Sequence, residues 1–288
     1  MAAQSKSVAE RLGYPANSKL LIIHGDDLAV AHSVDDASFN ALEKNAVTSA
    51  SIMVPCPWLT EVADYAKSHP DADLGLHLTL TSEWKTYRWG PVAPSDQVPS
   101  LFGPDGMLWS DTTLVSQHAK AAEAELELRT QIERALAMGI RPTHLDTHMG
   151  SVLASPEIFA AYVKLAHEFH LPFLAVRIPG AEHLLSALSE KDIVLDALVM
   201  ATPSVHPDKW NDFYLTAIKE LKPGLTEMIV HLGHDDSELQ AITAGHPDYG
   251  SAWRQRDYDF VTSPEFKKAL KENHVIPVRW RDIGRLVQ

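Results

Sequence analysis

The stretch LLIIHGDDLAVAHS, residues 20–33, joins a short apolar run to two adjacent acids. The run 20–24 has the length and the apolar character of a buried strand. Asp26 and Asp27 follow directly after it, although adjacent carboxylates repel each other and neither has a basic neighbour in the sequence. The next segment, SVDDASFNALEKN, begins with a serine and acids, as the amino terminus of a helix does. The stretch therefore predicts a strand followed by a helix, with charged groups at the junction.

The same alternation of strand and helix patterns continues to the end of the chain. The candidate strands are residues 20–24, 47–54, 74–80, 143–148, 173–178, 193–200, 227–232 and 275–280. The longest predicted helix, 113–138, is followed by Gly139, a typical residue after the last helical turn. About eight strands alternating with helices favour a parallel α/β architecture. No glycine-rich dinucleotide or phosphate loop follows any of them, so a nucleotide-binding fold lacks its usual signature.

The composition is that of an ordinary globular protein, with 45% hydrophobic and 22% charged residues. A chain of 288 residues fits one α/β barrel, and we expect a single domain over residues 1–288. The net charge of −13 argues against binding to nucleic acid or to an anionic membrane. The single cysteine, Cys56, excludes an intramolecular disulfide and a thiolate-rich metal site. The sequence leaves open whether the protein is a monomer or a homo-oligomer.

The amino terminus and the apolar runs indicate where the protein resides. The first residues contain no hydrophobic signal core, and no apolar run approaches the roughly 18 residues that span a membrane. We therefore expect a cytoplasmic protein that does not bind membranes.

Two regions rich in aromatic residues, 81–111 and 234–261, interrupt the alternation. Loops of this length inside a compact domain usually have a function. Their aromatic residues would stack on a sugar, cover a site as a lid, or only pack locally.

Ionisable residues recur where the predicted strands end. They are Asp26, Asp27, His77, His144, Asp146, His148, Arg177, His231 and His234. In (β/α) barrels the chemistry lies at the carboxyl ends of the strands, so a barrel brings residues from five strands to one face. We therefore predict a TIM-barrel-like (β/α) barrel, irregular in places and with long aromatic-rich loops, rather than an open sheet.

This set of residues suits a metal ion. Neutral imidazoles and one carboxylate are typical ligands of Zn²⁺ and related divalent ions. The pattern HLDTH places His144, Asp146 and His148 on one side of a strand, because side chains alternate with a period of two. His148 is nearest the strand end and is the best ligand candidate, with Asp27 and His77 completing the set. His144 or Asp146 would then orient a ligand from outside.

Four successive motifs, HGDDLAVAHSVDDA, NAVTSASIMVPCPW, DLGLHLTL and RPTHLDTHMG, resemble blocks of the YdjC-like (ChbG/HpnK) carbohydrate deacetylases. The resemblance extends to the closing TSPEFKKALKENHVIPVRWRDI. It implies a TIM-barrel-like fold and one divalent metal ion held by Asp27, His77 and His148. It also implies that Asp26 is the general base and His231 the general acid. Zn²⁺ and Mg²⁺ are the first choices for the metal, and Mn²⁺, Co²⁺ and Ni²⁺ are compatible with the same ligands.

Besides the leucine that follows His231 where the family has proline, the sequence departs from the family pattern at two places. The commoner THLDSHHHVH is here THLDTHMG, and the phenylalanine usual after the Asp-Asp pair is Leu28. Both positions are expected to line the substrate pocket.

These inferences predict metal-assisted removal of an acetyl group from a small N-acetylated sugar or oligosaccharide. Arg177 would fix Asp26, hold the substrate, or form a structural ion pair. One alternative is hydrolysis of another amide, a cyclic amide or an ester by the same metal. A second is glycoside hydrolysis by Asp26 and Asp27, which is disfavoured because adjacent residues of an extended segment point to opposite sides. A third is a carbohydrate-binding protein without turnover.

Overall fold

A computed structural model describes residues 6–177 and 186–287, so Ile178 of the predicted strand 173–178 lies outside the described residues. The strands are β1 Lys19–Leu28, β2 Ser49–Ile52, β3 Leu74–Leu78, β4 Leu145–Thr147, β5 Ala197–Met200, β6 Gly224–His231 and β7 Val275–Pro277. The helices are α1 Val8–Arg11, α2 His32–Glu43, α3 Leu59–Ser68, α4 Thr112–His118, α5 Ala121–Ala137, α6 Pro156–Glu168, α7 Trp210–Glu220, α8 Ser237–Ile242, α9 Ser251–Thr262, α10 Pro264–Glu272 and α11 Trp280–Gly284. Within these ranges, no helix is both long enough and apolar enough to cross a membrane.

The strands form one curled sheet in which every pair is parallel, in the order β4-β3-β2-β1-β6-β5. β1 is central: it pairs with β6 over residues 19–26, with β2 over 24–28, and with the short β7 at its start. Parallel strands need crossover connections, and the helices between them supply these. The prediction of a parallel α/β fold is confirmed.

The segment predicted as a strand over residues 173–178 forms only isolated bridges in its described part. Phe173 bridges to Leu145 of β4, and Val176 bridges to Leu195 just before β5. The segment changes partner halfway, so each side receives only a few hydrogen bonds instead of a continuous ladder. The described part of the chain is therefore a curled sheet whose two edges are bridged by this segment, and the irregularity expected of the barrel lies here.

Two other predicted elements differ from the structure. The helix predicted over 113–138 is divided into α4 and α5, because Ala119 and Lys120 have extended backbone conformations. The region 234–261 is not a loop throughout, since it contains α8 and α9. The buried face of α9 includes Arg254 and Asp257, and these charges conceal its helical apolar pattern in the sequence.

The two adjacent acids lie in a β-bulge near the end of β1. The pairing of β1 with β2 shifts register between Gly25 and Leu28, and Asp27 has a φ of +72°. An extra residue in a strand interrupts the alternation of side chains. Asp26 and Asp27 therefore both face the same cavity, contrary to the expectation that they point to opposite sides.

Candidate active site

A cavity of about 640 Å³ opens at the carboxyl ends of β1, β3, β4 and β6. Its polar lining consists of Asp26, Asp27, His77, Glu83, Thr147, His148, His231, His246, Asp248, Tyr249 and Arg254. Its apolar lining includes Trp84, Met149, Val152, Leu153, Phe159, Leu174, Ala175, Val176, Leu198, Met200 and Ile229. The lining thus combines a cluster of polar groups with an extensive apolar surface. The structure brings together five of the six residues predicted for the site, and Arg177 is the exception.

The three predicted metal ligands converge within the polar cluster. Oδ1 of Asp27 lies 3.3 Å from Nε2 of His77 and 3.2 Å from Nδ1 of His148. One donor atom from each residue lies within 4.8 Å of the other two. Ligands of a tetrahedral Zn²⁺ with bonds of 2.0–2.1 Å lie about 3.3 Å apart. Oδ1 of Asp27 is buried and has no hydrogen-bond partner in the described part of the chain, so a divalent ion fits this site.

His77 is held in the orientation that a metal ligand requires. Its Nδ1 lies 2.8 Å from Oδ1 of Asp146, and the carboxylate accepts the Nδ1 proton. With Nδ1 held by Asp146, Nε2 is the nitrogen that faces Asp27 and that can bind a metal ion once its proton has left. Of His144 and Asp146, the two residues predicted to orient a ligand, Asp146 is the one that contacts His77. His144 instead stacks on Trp280, with ring centroids 5.0 Å apart, and does not line the cavity.

His24, two residues before Asp26 on β1, connects Asp26 to Asp146. Its Nε2 lies 3.2 Å from Oδ1 of Asp26 and 2.8 Å from Oδ2 of Asp146. Burial disfavours the imidazolium, but these two carboxylates outweigh it and raise the pKa of His24 well above its ordinary value. The predicted strand contained His24, but nothing in the sequence marked it as a partner of the acids.

His148 is supported by Glu83, which sequence reasoning missed. Nε2 of His148 lies 3.0 Å from Oε2 of Glu83, while Nδ1 faces Asp27. Burial lowers the pKa of His148, but the charge of Glu83 and the contact with Asp27 outweigh it and raise that pKa to about 9. Glu83 comes from the aromatic region 81–111, so this region contributes directly to the site.

We expect the affinity for a divalent metal to increase with pH between 6.5 and 9. Metal binding must displace a proton from His148, whose pKa is about 9, and from His77, whose pKa Asp146 and Asp26 raise well above its ordinary value against the effect of burial. The cost of displacement decreases as pH rises, and each displaced proton gives up to about tenfold in affinity per pH unit. Competition titrations against a chelator between pH 6.5 and 9 would measure this. Glu83→Gln should move the rise to lower pH, and an affinity that is independent of pH would contradict the prediction.

The structure places Arg254, and not Arg177, in the site. Arg177 is 64% exposed, and its Nε lies 4.0 Å from Asp196 on the surface. It follows an irregular segment, so the rule that strand-end residues face the cavity fails for it. Arg254 of α9 is 1% exposed, and its Nη2 donates to Oδ2 of Asp27 at 2.6 Å. Burial disfavours the carboxylate, but this guanidinium and the two imidazoles hold the pKa of Asp27 well below its ordinary value.

Replacing Arg254 by methionine should destabilise the metal-free protein by about 3–5 kcal/mol, because the change leaves the buried carboxylate of Asp27 without its cationic partner. Arg177→Met is the matched control, and its free energy of unfolding should stay within about 0.5 kcal/mol of the wild-type value. Urea denaturation of both variants measures the difference. Equal stabilities would contradict the assignment of Arg254.

The candidate base and acid face each other beside the ligands. Oδ2 of Asp26 lies 3.8 Å from Nε2 of His77 and 3.9 Å from Nε2 of His231. Burial lowers the pKa of His231 to about 4, so its ring is neutral at pH 7. The backbone N–H of His231 donates to Asp257, and its ring contacts Tyr249. The remaining strand-end histidine, His234, lies beside Asp36 and does not line the cavity.

Aromatic side chains of the region 81–111 pack against residues of the site. Trp84 and Trp89 are buried, with Trp84 facing the guanidinium of Arg254 and Trp89 edge-on to His148. Of the two departures from the family pattern, Met149 lines the cavity as expected. Leu28 is fully buried and is not part of the lining, so the expectation for that position is wrong.

Comparisons with known proteins agree with this arrangement. The family model described as YdjC-like protein matches residues 20–272. The carbohydrate deacetylase of Thermus thermophilus is 32% identical over 285 residues, which cover 95% of this chain and 97% of that protein. The carbohydrate deacetylase of Brevibacillus brevis is 36% identical over 269 residues, with coverage of 92% and 99%.

A crystal structure from Enterococcus faecalis, described as that of a candidate cellobiose-phosphate cleavage protein, has the same fold. Its TM-score is 0.79 at 22% sequence identity, and the match covers 92% of this chain and 99% of that one. From the family match over most of the sequence and the identity to these relatives, the chain belongs to the YdjC-like protein family.

Proposed function

We propose that this protein is a divalent-metal-dependent hydrolase that removes the acetyl group from an N-acetylated sugar or oligosaccharide. The observation that carries the proposal is the convergence of Asp27, His77 and His148 beside a further carboxylate, Asp26, and the neutral His231. Relatives named carbohydrate deacetylase, matched over nearly their full length, support the substrate class.

Each ligand in this site has a partner that holds it in place. Asp146 fixes the tautomer of His77, Glu83 fixes the ring of His148, and Arg254 keeps Asp27 ionised. A divalent ion held by these residues would supply the positive charge that polarises the acyl carbonyl and lowers the pKa of the attacking water.

Asp26 and His231 move the proton. The carboxylate of Asp26 accepts a proton as the water attacks the acyl carbon. His231, whose Nε2 is 3.9 Å from this carboxylate, relays a proton to the departing nitrogen. Its low pKa makes the imidazolium a strong donor once it forms. The C–N bond breaks, and the products are acetate and the ammonium form of the amino sugar.

Glycoside hydrolysis by the acid pair does not fit the site. Asp26 and Asp27 both approach Nε2 of His77, and Asp27 is bound by Arg254, so the two carboxylates do not flank a bond.

The bridges of residues 173–176 to both sheet edges support a further part of the proposal. We infer that the curled sheet is a (β/α) barrel of the TIM-barrel type, with this segment in the place of a regular strand, and that the chain is one domain.

The test of the function combines metal analysis with a screen for acetate release. Purified protein should contain one divalent ion per chain and release acetate from N-acetylglucosamine or its oligomers. Matched acetate esters and non-sugar acetamides form the comparison panel. Turnover of those compounds without turnover of any N-acetylated sugar would favour the other metal-dependent hydrolase, and protein that binds no metal would contradict both.

A further inference from the structure

The apolar side chains that line the cavity of about 640 Å³ are more than the methyl group of an acetyl can contact. Ile229 lies two residues before His231 on β6 and therefore faces the same side of the strand. Met200 of β5 is paired with Ile229, and Leu198 lies two residues further toward the amino end of β5. Ile229, Met200 and Leu198 thus form a wall of the cavity, the aliphatic wall, which extends from the level of His231 toward the amino ends of the strands.

Further apolar residues continue this wall. Leu174 and Val176, both half-buried, come from the bridging segment, and the buried Phe159 comes from α6. None of these side chains has a hydrogen-bond donor or acceptor. A second sugar unit placed here would leave its hydroxyl groups without partners, which costs free energy for each group.

Three further polar residues of the cavity come after the carboxyl end of β6, beyond His231, whereas Ile229 comes before it. His246, Asp248 and Tyr249 come from the segment between α8 and α9, which follows the carboxyl end of β6. The ring of Tyr249 contacts that of His231, with centroids 4.9 Å apart. In the proposed reaction the departing nitrogen faces His231, and these polar groups are the ones beside it that can bond the hydroxyl groups of the attached sugar. The substituent on the acyl carbon is then directed toward the aliphatic wall.

We propose that this wall binds the hydrocarbon chain of an N-acyl group longer than acetyl, so that the protein hydrolyses N-acylated amino sugars with short to medium acyl chains. Leu198 is 39% exposed, so the wall reaches solvent and does not close behind the first methyl group. The inference rests on the proposed function. The bonds made and broken are those of deacetylation: water adds to the acyl carbon, the C–N bond breaks, and a carboxylate and an ammonium group form.

The test is a series of N-acetyl, N-butanoyl and N-hexanoyl glucosamines, with release of the free amine as the readout. Burial of one methylene contributes up to about fourfold. We expect kcat/KM to rise at least about tenfold from acetyl to hexanoyl. If acetyl is removed and the longer chains are removed more slowly, this inference fails while the proposed function stands. If no amine is released from any of the sugars, both fail.

A second arm separates the acyl chain from a hydrocarbon attached elsewhere on the sugar. The methyl and octyl β-glycosides of N-acetylglucosamine should be hydrolysed with kcat/KM values within about twofold of each other. A large preference for the octyl glycoside without a preference for longer N-acyl groups would assign the wall to the aglycone and overturn the proposal.

A matched pair of variants tests the wall itself. Leu198→Gln keeps the approximate volume but introduces an amide, and should lower the hexanoyl-to-acetyl ratio of kcat/KM about fivefold. Leu136→Gln is the control, because Leu136 of α5 is similarly exposed, at 44%, but lies outside the cavity. Thermal melts of both variants check folding. An unchanged ratio in a folded Leu198→Gln variant would contradict the assignment.

Discussion

Replacing Asp26 by asparagine should lower kcat by about 10²- to 10⁴-fold while the bound metal is retained. The amide has nearly the shape of the carboxylate but cannot accept a proton from water. Asp26 approaches His77 only at 3.8 Å and does not belong to the group Asp27, His77 and His148, so this group keeps its donors. Acetate release and metal content per chain should be measured on the same preparation.

The matched control for this change is Asp64→Asn. Asp64 is exposed on α3 and its carboxylate pairs with Lys67 in the next turn, so activity and metal content should both stay at the wild-type level. An Asp26→Asn variant that retained activity within tenfold of wild type would remove Asp26 from the role of base. Loss of the metal in that variant would instead make Asp26 a ligand.

Removal of a proposed metal ligand should lower activity about as much as Asp26→Asn does, but through loss of the metal. His77→Ala deletes one of three donors, so metal affinity should fall by more than about 100-fold, the upper end of what loss of an outer partner costs. Activity should be lost together with the metal. Asp146→Asn keeps His77 but weakens the acceptor for its Nδ1 proton, and should cost about 10- to 100-fold in affinity.

The informative result is which of the two variants, His77→Ala or Asp146→Asn, binds the metal more weakly. His206→Ala is the histidine control, because His206 is exposed, bonded to Asp208 and outside the cavity lining. Circular dichroism melts check that each variant folds. Equal metal affinity in His77→Ala and wild-type protein would contradict the ligand assignment, and an Asp146→Asn variant weaker than His77→Ala would assign Asp146 as a direct ligand.

The sequence predicted the parts of the site that follow from strand geometry. His77 lies in the predicted strand 74–80 and His148 ends the predicted strand 143–148, and parallel strands bring their carboxyl ends to one edge. Asp27 could be predicted as a ligand from the motif, but not the bulge that turns it toward His77. That bulge depends on the pairing of β1 with β2, which is a long-range property.

The residues that sequence reasoning missed are those defined by distant contacts. Glu83 lies in an irregular region, and Arg254 lies on a helix whose buried face is partly charged, so neither follows an apolar period. Arg177 was misassigned for the converse reason. It follows the apolar run 173–176, which has the composition of a strand, but this run is shared between two neighbouring strands and Arg177 does not line the cavity.

The ion pair between Asp27 and Arg254 also determines when the site can be complete. The two residues are 227 positions apart, whereas all three ligands have left the ribosome well before α9 has been synthesised. Until α9 is added, the nascent chain carries the ligands but not the cation that keeps Asp27 charged in a buried position. Domains fold as units during synthesis, so a one-domain chain that binds metal as proposed would reach the geometry for metal capture only when nearly all of it is present. Metal loading would then report that the carboxyl-terminal part has docked.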